Sequence, residues 1–137
     1  MFYPMFMMVL LTFIVGLVTM KYRFSVVISG TLHHNYFKLM EGQEVPEFFT
    51  RTTRCFNNMF EVPVLFYVAC LLYIVMGIDS LAGLIFAWLF VLMRYFQALV
   101  HLTYNRVLHR MLFFWFAFLS AMGLWLNLLY QQMQNVN

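Results

Sequence analysis

Four long apolar stretches dominate this chain and leave little sequence between them. They cover about residues 4–28, 46–77, 80–104 and 110–131 of the 137. A helix needs roughly 20 apolar residues to cross a bilayer, so each stretch is long enough to span one. Charged residues make up only 9% of the chain, whereas soluble proteins contain roughly a quarter. We therefore predict an all-α, integral membrane four-helix bundle that occupies residues 1–137 as a single domain.

The positions of the basic residues predict how this bundle crosses the membrane. The first connection is flanked by Lys21, Arg23, Lys38, Arg51 and Arg54, and the third by Arg94, Arg106 and Arg110. The N-terminus, the second connection and the C-terminus contain no Lys or Arg. Cytoplasmic segments are enriched in these residues, so we expect both basic connections in the cytoplasm and both termini outside. The candidate polar sites would then lie toward one membrane face.

A first polar group opens the second apolar stretch. Arg54, Asn58 and Glu61 follow one another at i, i+4 and i+7, which places them on one face if the helix is continuous. Arg51 lies on the flank of this face. Pro63 follows shortly after Glu61, and a proline inside a helix removes a hydrogen bond and tends to bend the helix. We expect this bend to open a crevice beside Glu61.

A second polar group lies near the end of the third apolar stretch. It consists of Arg94, Gln97, His101 and Asn105. The offsets of 3, 7 and 11 residues from the first member place all four on one side of a helix. Arg110 follows at the start of the fourth stretch. The two groups are therefore expected to face each other in the bundle.

Two interpretations of these groups remain open from the residues alone. Glu61 could bridge to Arg54 or Arg94 and simply hold the helices together, as polar residues in membrane bundles often do. The charges do not balance, however, because Arg51, Arg54, Arg94 and Arg110 face a single glutamate. Unmatched cations in a membrane protein indicate a site that awaits an anion. The charge count favours this second interpretation.

Two other ligand classes are disfavoured. The chain has a formal charge of +3, but its basic residues are sparse and form no continuous stripe, so we expect no nucleic-acid partner. His101 stands alone on its helix face, and His33 and His34 are neighbours in a connecting loop. None of these histidines has the spacing of a metal site, so we expect no metal.

At these residues the sequence resembles a known family, the membrane-associated proteins in eicosanoid and glutathione metabolism (MAPEG). The second helix of that family carries Arg-x-x-x-Asn-x-x-Glu followed by a proline. Here those positions are Arg54, Asn58, Glu61 and Pro63. The third helix carries an arginine and then aromatic or histidine positions, and another arginine begins the fourth helix. Here those positions are Arg94, Gln97, His101 and Arg110. The resemblance covers nearly the whole chain and is nearest to the bacterial-type branch.

The resemblance implies a homotrimer that binds glutathione as co-substrate between neighbouring subunits. The site would face the cytoplasm of a bacterial inner membrane. The implied glutathione-binding residues are Arg23, Arg51, Arg54, Asn58, Glu61, Arg94, Gln97 and His101. Lys21 is a less favoured alternative to Arg23. Arg110 matches an arginine near the glutathione sulfur and would be the catalytic residue.

The residue types suit this ligand. Arginines can hold its two carboxylates through paired hydrogen bonds, and Glu61 can accept its ammonium group. An arginine beside the sulfur would lower the thiol pKa from about 8.5 toward neutrality and raise the thiolate fraction. The thiolate would then attack a lipophilic electrophile or a lipid hydroperoxide that arrives from the surrounding membrane lipids.

A non-catalytic alternative is also open. Family members often have tyrosine after the glutamate and on helix three, where this chain has Val62, Gln97 and His101. Such a chain could be a trimeric membrane binder of glutathione or of another anionic or lipid ligand. A transporter or channel subunit is disfavoured because the charges cluster toward one face instead of lining a path through the bilayer.

Overall fold

The computed structural model describes residues 1–30 and 45–136, which form helices joined by turns and contain no strand. Its helices are α1 (Phe2–Ile28), α2 (Glu47–Asn57), α3 (Val62–Val75), α4 (Leu81–Leu102) and α5 (Val107–Val136). A short 3₁₀ turn, Asn58–Phe60, joins α2 to α3. His33, His34 and Lys38, which entered the predictions above, lie outside the described residues.

Four stretches of the structure are long and apolar enough to cross a membrane. They are Phe2–Ile28, Glu47–Val75, Leu81–Leu102 and Val107–Gln134. The prediction of an all-α, four-helix integral membrane protein is thereby confirmed. The outer surface of the bundle is apolar, with side chains such as Phe13, Leu17 and Trp115 more than half exposed, as a surface in contact with lipid tails should be. The fourth span begins at Val107, slightly earlier than the expected residue 110.

The second span is one membrane crossing but not one helix. Pro63 lies in the first turn of α3, and Glu61 before it has φ −98° and ψ −103°, which is not helical. A proline ring would clash with the carbonyl group four residues earlier, here that of Met59, so α2 cannot run on through this point. The predicted bend is therefore a break. Arg54 and Glu61 consequently do not share the face of an uninterrupted helix.

The helices pack around a core that is filled from every span. Met8, Leu11 and Val15 form the buried stripe of α1. The rings of Phe66 on α3 and Phe90 on α4 stack with centroids 4.4 Å apart. Such interdigitation holds membrane helices together through van der Waals contact, because lipid tails give no hydrophobic drive for association.

The two ends of the bundle differ in chemistry. At one end α1 and α4 finish and α2 and α5 begin; we call this the basic end, since it carries Arg23, Arg54 and Arg110. The opposite end is held by neutral hydrogen bonds. There the hydroxyl groups of Tyr73 and Ser80 both donate to Asn127 Oδ1 at 2.7 Å. The basic end is thus the place where the arginines need partners.

Candidate functional site

The predicted site residues extend from the basic end of the bundle to the break at Glu61. Their positions are Arg23 on α1, Arg51 and Arg54 on α2, Asn58 in the 3₁₀ turn, Glu61 at the break, Arg94, Gln97 and His101 on α4, and Arg110 on α5. Contacts of three of these arginines link the spans. Arg51 donates to the carbonyl of Thr103 after α4, Arg94 donates to the carbonyl of Asn58, and Arg110 contacts the buried His101. The fold therefore assembles one cationic cluster from three spans.

Arg94 lies inside the protomer and binds the helix break. Its side chain is 1% exposed. Nη1 donates to Gln97 Oε1 at 2.6 Å, and Nη2 donates to the backbone carbonyl of Asn58. The carbonyl groups before a helix break lack part of their normal pairing, and a guanidinium is a strong donor for them. Arg94 therefore fixes the position of the 3₁₀ turn, while its Nε is buried without a hydrogen-bond partner among the described residues.

The side chains around this break remain available for a ligand. Arg54 and Glu61 are exposed and Asn58 is half-buried. None of the three side chains makes a hydrogen bond or an ion pair within the part of the chain that the structure describes. The suggested structural bridge from Glu61 to Arg54 or Arg94 is therefore not formed there.

Glu61 occupies an unusual position for a carboxylate. Its neighbours Phe60, Val64 and Leu65 are exposed apolar side chains of the kind that face lipid. A charged group in hydrocarbon is costly, and such groups normally find a charged or polar partner. The surface around Glu61 is thus suited to be covered by a polar ligand or by another copy of the chain.

Arg110 is held at the junction of α4 and α5. Its Nη1 donates to Asn105 Oδ1 at 2.8 Å and lies 3.3 Å from Nε2 of His101. Because a guanidinium can only donate, Nε2 must act as the acceptor in this contact. The Nε and Nη2 atoms of Arg110 have no hydrogen-bond partner in residues 1–30 and 45–136. One edge of the guanidinium is fixed and the other is free.

The charge count from the sequence needs one correction. Arg51 forms an ion pair with Glu47 at i, i+4, through both Nε and Nη2. Its Nη1 also donates to the carbonyl of Thr103 at 3.2 Å. Glu47 was not among the predicted partners, although its i, i+4 spacing from Arg51 was a signal for the pair. Arg54, Arg94 and Arg110 remain without a carboxylate partner among the described residues.

Arg23 lies apart from the cluster. Its Nη2 donates to Thr53 Oγ1 at 3.3 Å, and its guanidinium carbon lies 5.7 Å from the centroid of the Phe49 ring. Its Nε is buried without a hydrogen-bond partner in the described part of the chain. Arg23 therefore faces the α1–α2 side of the protomer, whereas Arg110 lies between α4 and α5.

An apolar groove of about 780 Å³ begins beside Arg23. It runs along α1 past Gly16 and Met20 and is closed on the other side by Phe56 and Phe60. Gly16 provides part of the space, because a Cβ atom there would lie 3.1 Å from the Phe56 ring. The groove can accommodate a lipophilic chain with a cationic group at one end.

Asn105 has a role that was not predicted from the sequence. The third span was expected to remain helical to about residue 104, with Asn105 continuing the polar stripe of Arg94. In the structure α4 ends at Leu102, and Asn105 adopts a left-handed conformation with φ 49°. Asparagine is one of the few residues besides glycine that often adopts this conformation after a helix, which was the available signal.

Comparison with known proteins agrees with this architecture. A sequence model of the MAPEG family matches residues 1–130. Neither the curated proteins nor the solved structures gave a match. The family is one of four-helix membrane bundles, which agrees with the four spans described above. Because the match covers nearly the whole chain, the protein belongs to the MAPEG family, whose members include glutathione-dependent transferases and peroxidases.

Proposed function

We propose that this protein is a glutathione-dependent membrane enzyme that conjugates or reduces lipophilic electrophiles or lipid hydroperoxides. The observation that carries this proposal is the cluster of unpaired charges between α2, α4 and α5. Arg54 and Arg110 have free donors, and the carboxylate of Glu61 has no partner among the described residues. With Arg51 or the Arg23 of a neighbouring copy as a third cation, this set suits a ligand that has two carboxylates, one ammonium group and one thiol.

Each group has a role in this proposal. Arg54 binds one glutathione carboxylate, and Arg51 binds the second in exchange for its ion pair with Glu47. Glu61 accepts the ammonium group, and Asn58 contributes amide hydrogen bonds. The buried members act through these groups. Arg94 and Gln97 hold the 3₁₀ turn that carries Asn58, and His101 holds Arg110 beside the glutathione sulfur.

The chemistry begins with the thiol. Arg110 stabilises the negative sulfur, so the thiol gives up its proton more readily. In conjugation, the thiolate forms a bond to an electrophilic carbon, and the leaving group departs with its bonding electron pair. In reduction, the thiolate attacks the terminal oxygen of a hydroperoxide, the O–O bond breaks, and the alkoxide takes up a proton. The resulting sulfenic acid reacts with a second glutathione to give the disulfide and water.

The active assembly in this proposal is a homotrimer with glutathione between neighbouring copies. The exposed carboxylate of Glu61 on an apolar surface supports a covered interface at this position. Arg23, which points away from Arg110 within its own protomer, would reach the glutathione held by a neighbouring copy. The positive-inside rule supports a position of this site toward the cytoplasm, and we retain the bacterial inner membrane as the proposed location.

The direct test is to add glutathione to the purified protein and to measure absorbance at about 240 nm, where a thiolate absorbs. We expect a signal that saturates with glutathione, together with turnover of an aryl halide or a lipid hydroperoxide. Oxidised glutathione, which has no thiol, serves as the control ligand. Absence of both the thiolate signal and turnover would reject the enzymatic proposal.

The groove beside Arg23 gives a prediction about the second substrate. Gly16→Leu should fill the groove against Phe56, and we expect it to raise KM for a long-chain hydroperoxide by about tenfold, since one filled subsite costs on the order of 1–2 kcal/mol. The thiolate signal should be unchanged, because Arg54, Glu61 and Arg110 do not line this groove.

Leu17→Ala, which enlarges the same groove, is the matched variant and should leave KM close to wild type. Size-exclusion chromatography in detergent must show the same assembly for both variants. Equal KM values for Gly16→Leu and wild type would contradict the assignment of this groove to the lipophilic substrate.

A second candidate function is a non-catalytic trimeric binder of glutathione or of another anionic or lipid ligand. The contacts made at two positions where family members often have tyrosine favour it. Gln97 and His101 are buried, and both are already occupied by contacts with arginines, through Arg94 and Arg110. Ligand binding with no thiolate signal would select this alternative.

A further inference from the structure

The turn between α4 and α5 has a backbone conformation that only a few residues adopt readily. Asn105 is the one non-glycine residue with positive φ in residues 1–30 and 45–136. Its N–H donates to the carbonyl of Val100 at 2.8 Å and closes the end of α4. This left-handed conformation is costly for most side chains but accessible to asparagine.

The same residue holds the guanidinium of Arg110. The backbone turn brings Asn105 Oδ1 to 2.8 Å from Arg110 Nη1. The second contact of that nitrogen, with His101 Nε2, is longer at 3.3 Å. Asn105 Oδ1 therefore provides the shorter of the two contacts that orient the guanidinium.

We propose that Asn105 is a positioning residue that orients Arg110 for activation of the glutathione thiol. This inference rests on the function proposed above, in which Arg110 faces the sulfur. With Nη1 held by the turn, the Nε and Nη2 edge is directed toward the ligand. Stabilisation of a developing charge depends on donors that are fixed before the ligand arrives, and Asn105 supplies that preorganisation.

The chain allows the side chain and the backbone of this turn to be tested separately. Asn105→Gly removes the Oδ1 acceptor and keeps a residue that readily adopts positive φ. Asn105→Ala removes the same acceptor and also strains the turn. Tyr104→Phe is a matched control, because it removes the bond from Tyr104 Oη to His109 Nδ1 in the same turn and does not touch Arg110.

We expect Asn105→Gly to lower kcat by about tenfold and to reduce the thiolate absorbance of bound glutathione, because a misdirected donor loses much of its effect. KM for glutathione should change by less than about threefold, since Arg110 acts on the sulfur and not on the carboxylates. The melting temperature should stay near that of wild type. Asn105→Ala should show the same loss of kcat with a lower melting temperature, and Tyr104→Phe should match wild type in all three measurements.

The outcomes separate this inference from the proposed function. If wild type forms the thiolate and Asn105→Gly matches it in kcat and absorbance, the positioning role is overturned and the proposed function stands. If Asn105→Gly loses thermal stability in step with activity, the residue is structural and the positioning role is again overturned. If wild type forms no thiolate and shows no turnover, the proposed function fails and the inference fails with it.

Discussion

Replacement of Arg110 by alanine is expected to lower kcat by about 100-fold or more and to abolish the thiolate absorbance of bound glutathione. Removal of one preorganised donor from a developing negative charge typically costs on the order of 100- to 1,000-fold in rate. KM for glutathione should change much less, because the carboxylates are held by other arginines. Stopped-flow absorbance at about 240 nm and steady-state kinetics measure the two effects.

Two variants make the Arg110 result specific. Arg106→Ala removes an exposed positive charge from the residue just before α5. It should leave kcat within about twofold of wild type, since exposed charges contribute little. Arg110→Lys retains the charge but loses the planar fork, so it should fall between alanine and wild type. If Arg106→Ala and Arg110→Ala reduce kcat equally, only the general positive potential matters and a specific catalytic role for Arg110 is wrong.

Replacement of Arg94 by methionine is expected to weaken glutathione binding by about 10- to 100-fold while stability falls by no more than about 2 kcal/mol. Two effects on stability oppose each other. Loss of the guanidinium leaves the Asn58 carbonyl and the Gln97 amide without their donor, but it also removes a cation that was costly to bury. The effect on binding has no such compensation, because the 3₁₀ turn that carries Asn58 and leads to Glu61 is released. Isothermal titration calorimetry and thermal unfolding measure the two quantities.

A truncated ligand tests whether Arg94 acts through the turn. The dipeptide γ-glutamylcysteine lacks the glycine carboxylate of glutathione. If Arg94 holds only the turn, Arg94→Met should weaken binding of both ligands by the same factor. A loss that is confined to glutathione would show that Arg94 binds the glycine carboxylate directly, and the indirect role would then be wrong.

The break in the second span shows which features of this site can be predicted from the sequence and which depend on the fold. Pro63 is visible in the sequence, and its missing N–H and bulky ring require some distortion before it. The size of the distortion depends on which partner accepts the exposed backbone groups. Arg94 lies on a different helix from Asn58, so no local pattern could identify it as that partner. A bend was therefore predictable, whereas the break at Glu61 was not.

The arginines illustrate the same limit. Their number and their location on one side of the bundle follow from the sequence. Their partners do not, because the long side chain of an arginine reaches neighbours on other elements. Arg23 lies against Thr53 and Phe49, and Arg110 is bound to Asn105. These contacts decide which guanidinium groups remain free for a ligand.

The sequence by itself determined that this chain forms four membrane-spanning helices. Each apolar stretch is long enough to cross a bilayer, and in lipid a helix satisfies its backbone hydrogen bonds within its own segment. It also determined which polar residue types are available near the basic end. Only the tertiary structure decided that Arg94 is buried against the helix break, that Arg110 keeps one free edge, and that a groove lies beside Arg23. Those features depend on side chains from different helices. The distances between these side chains are set by packing between spans, and the sequence of one span does not specify that packing.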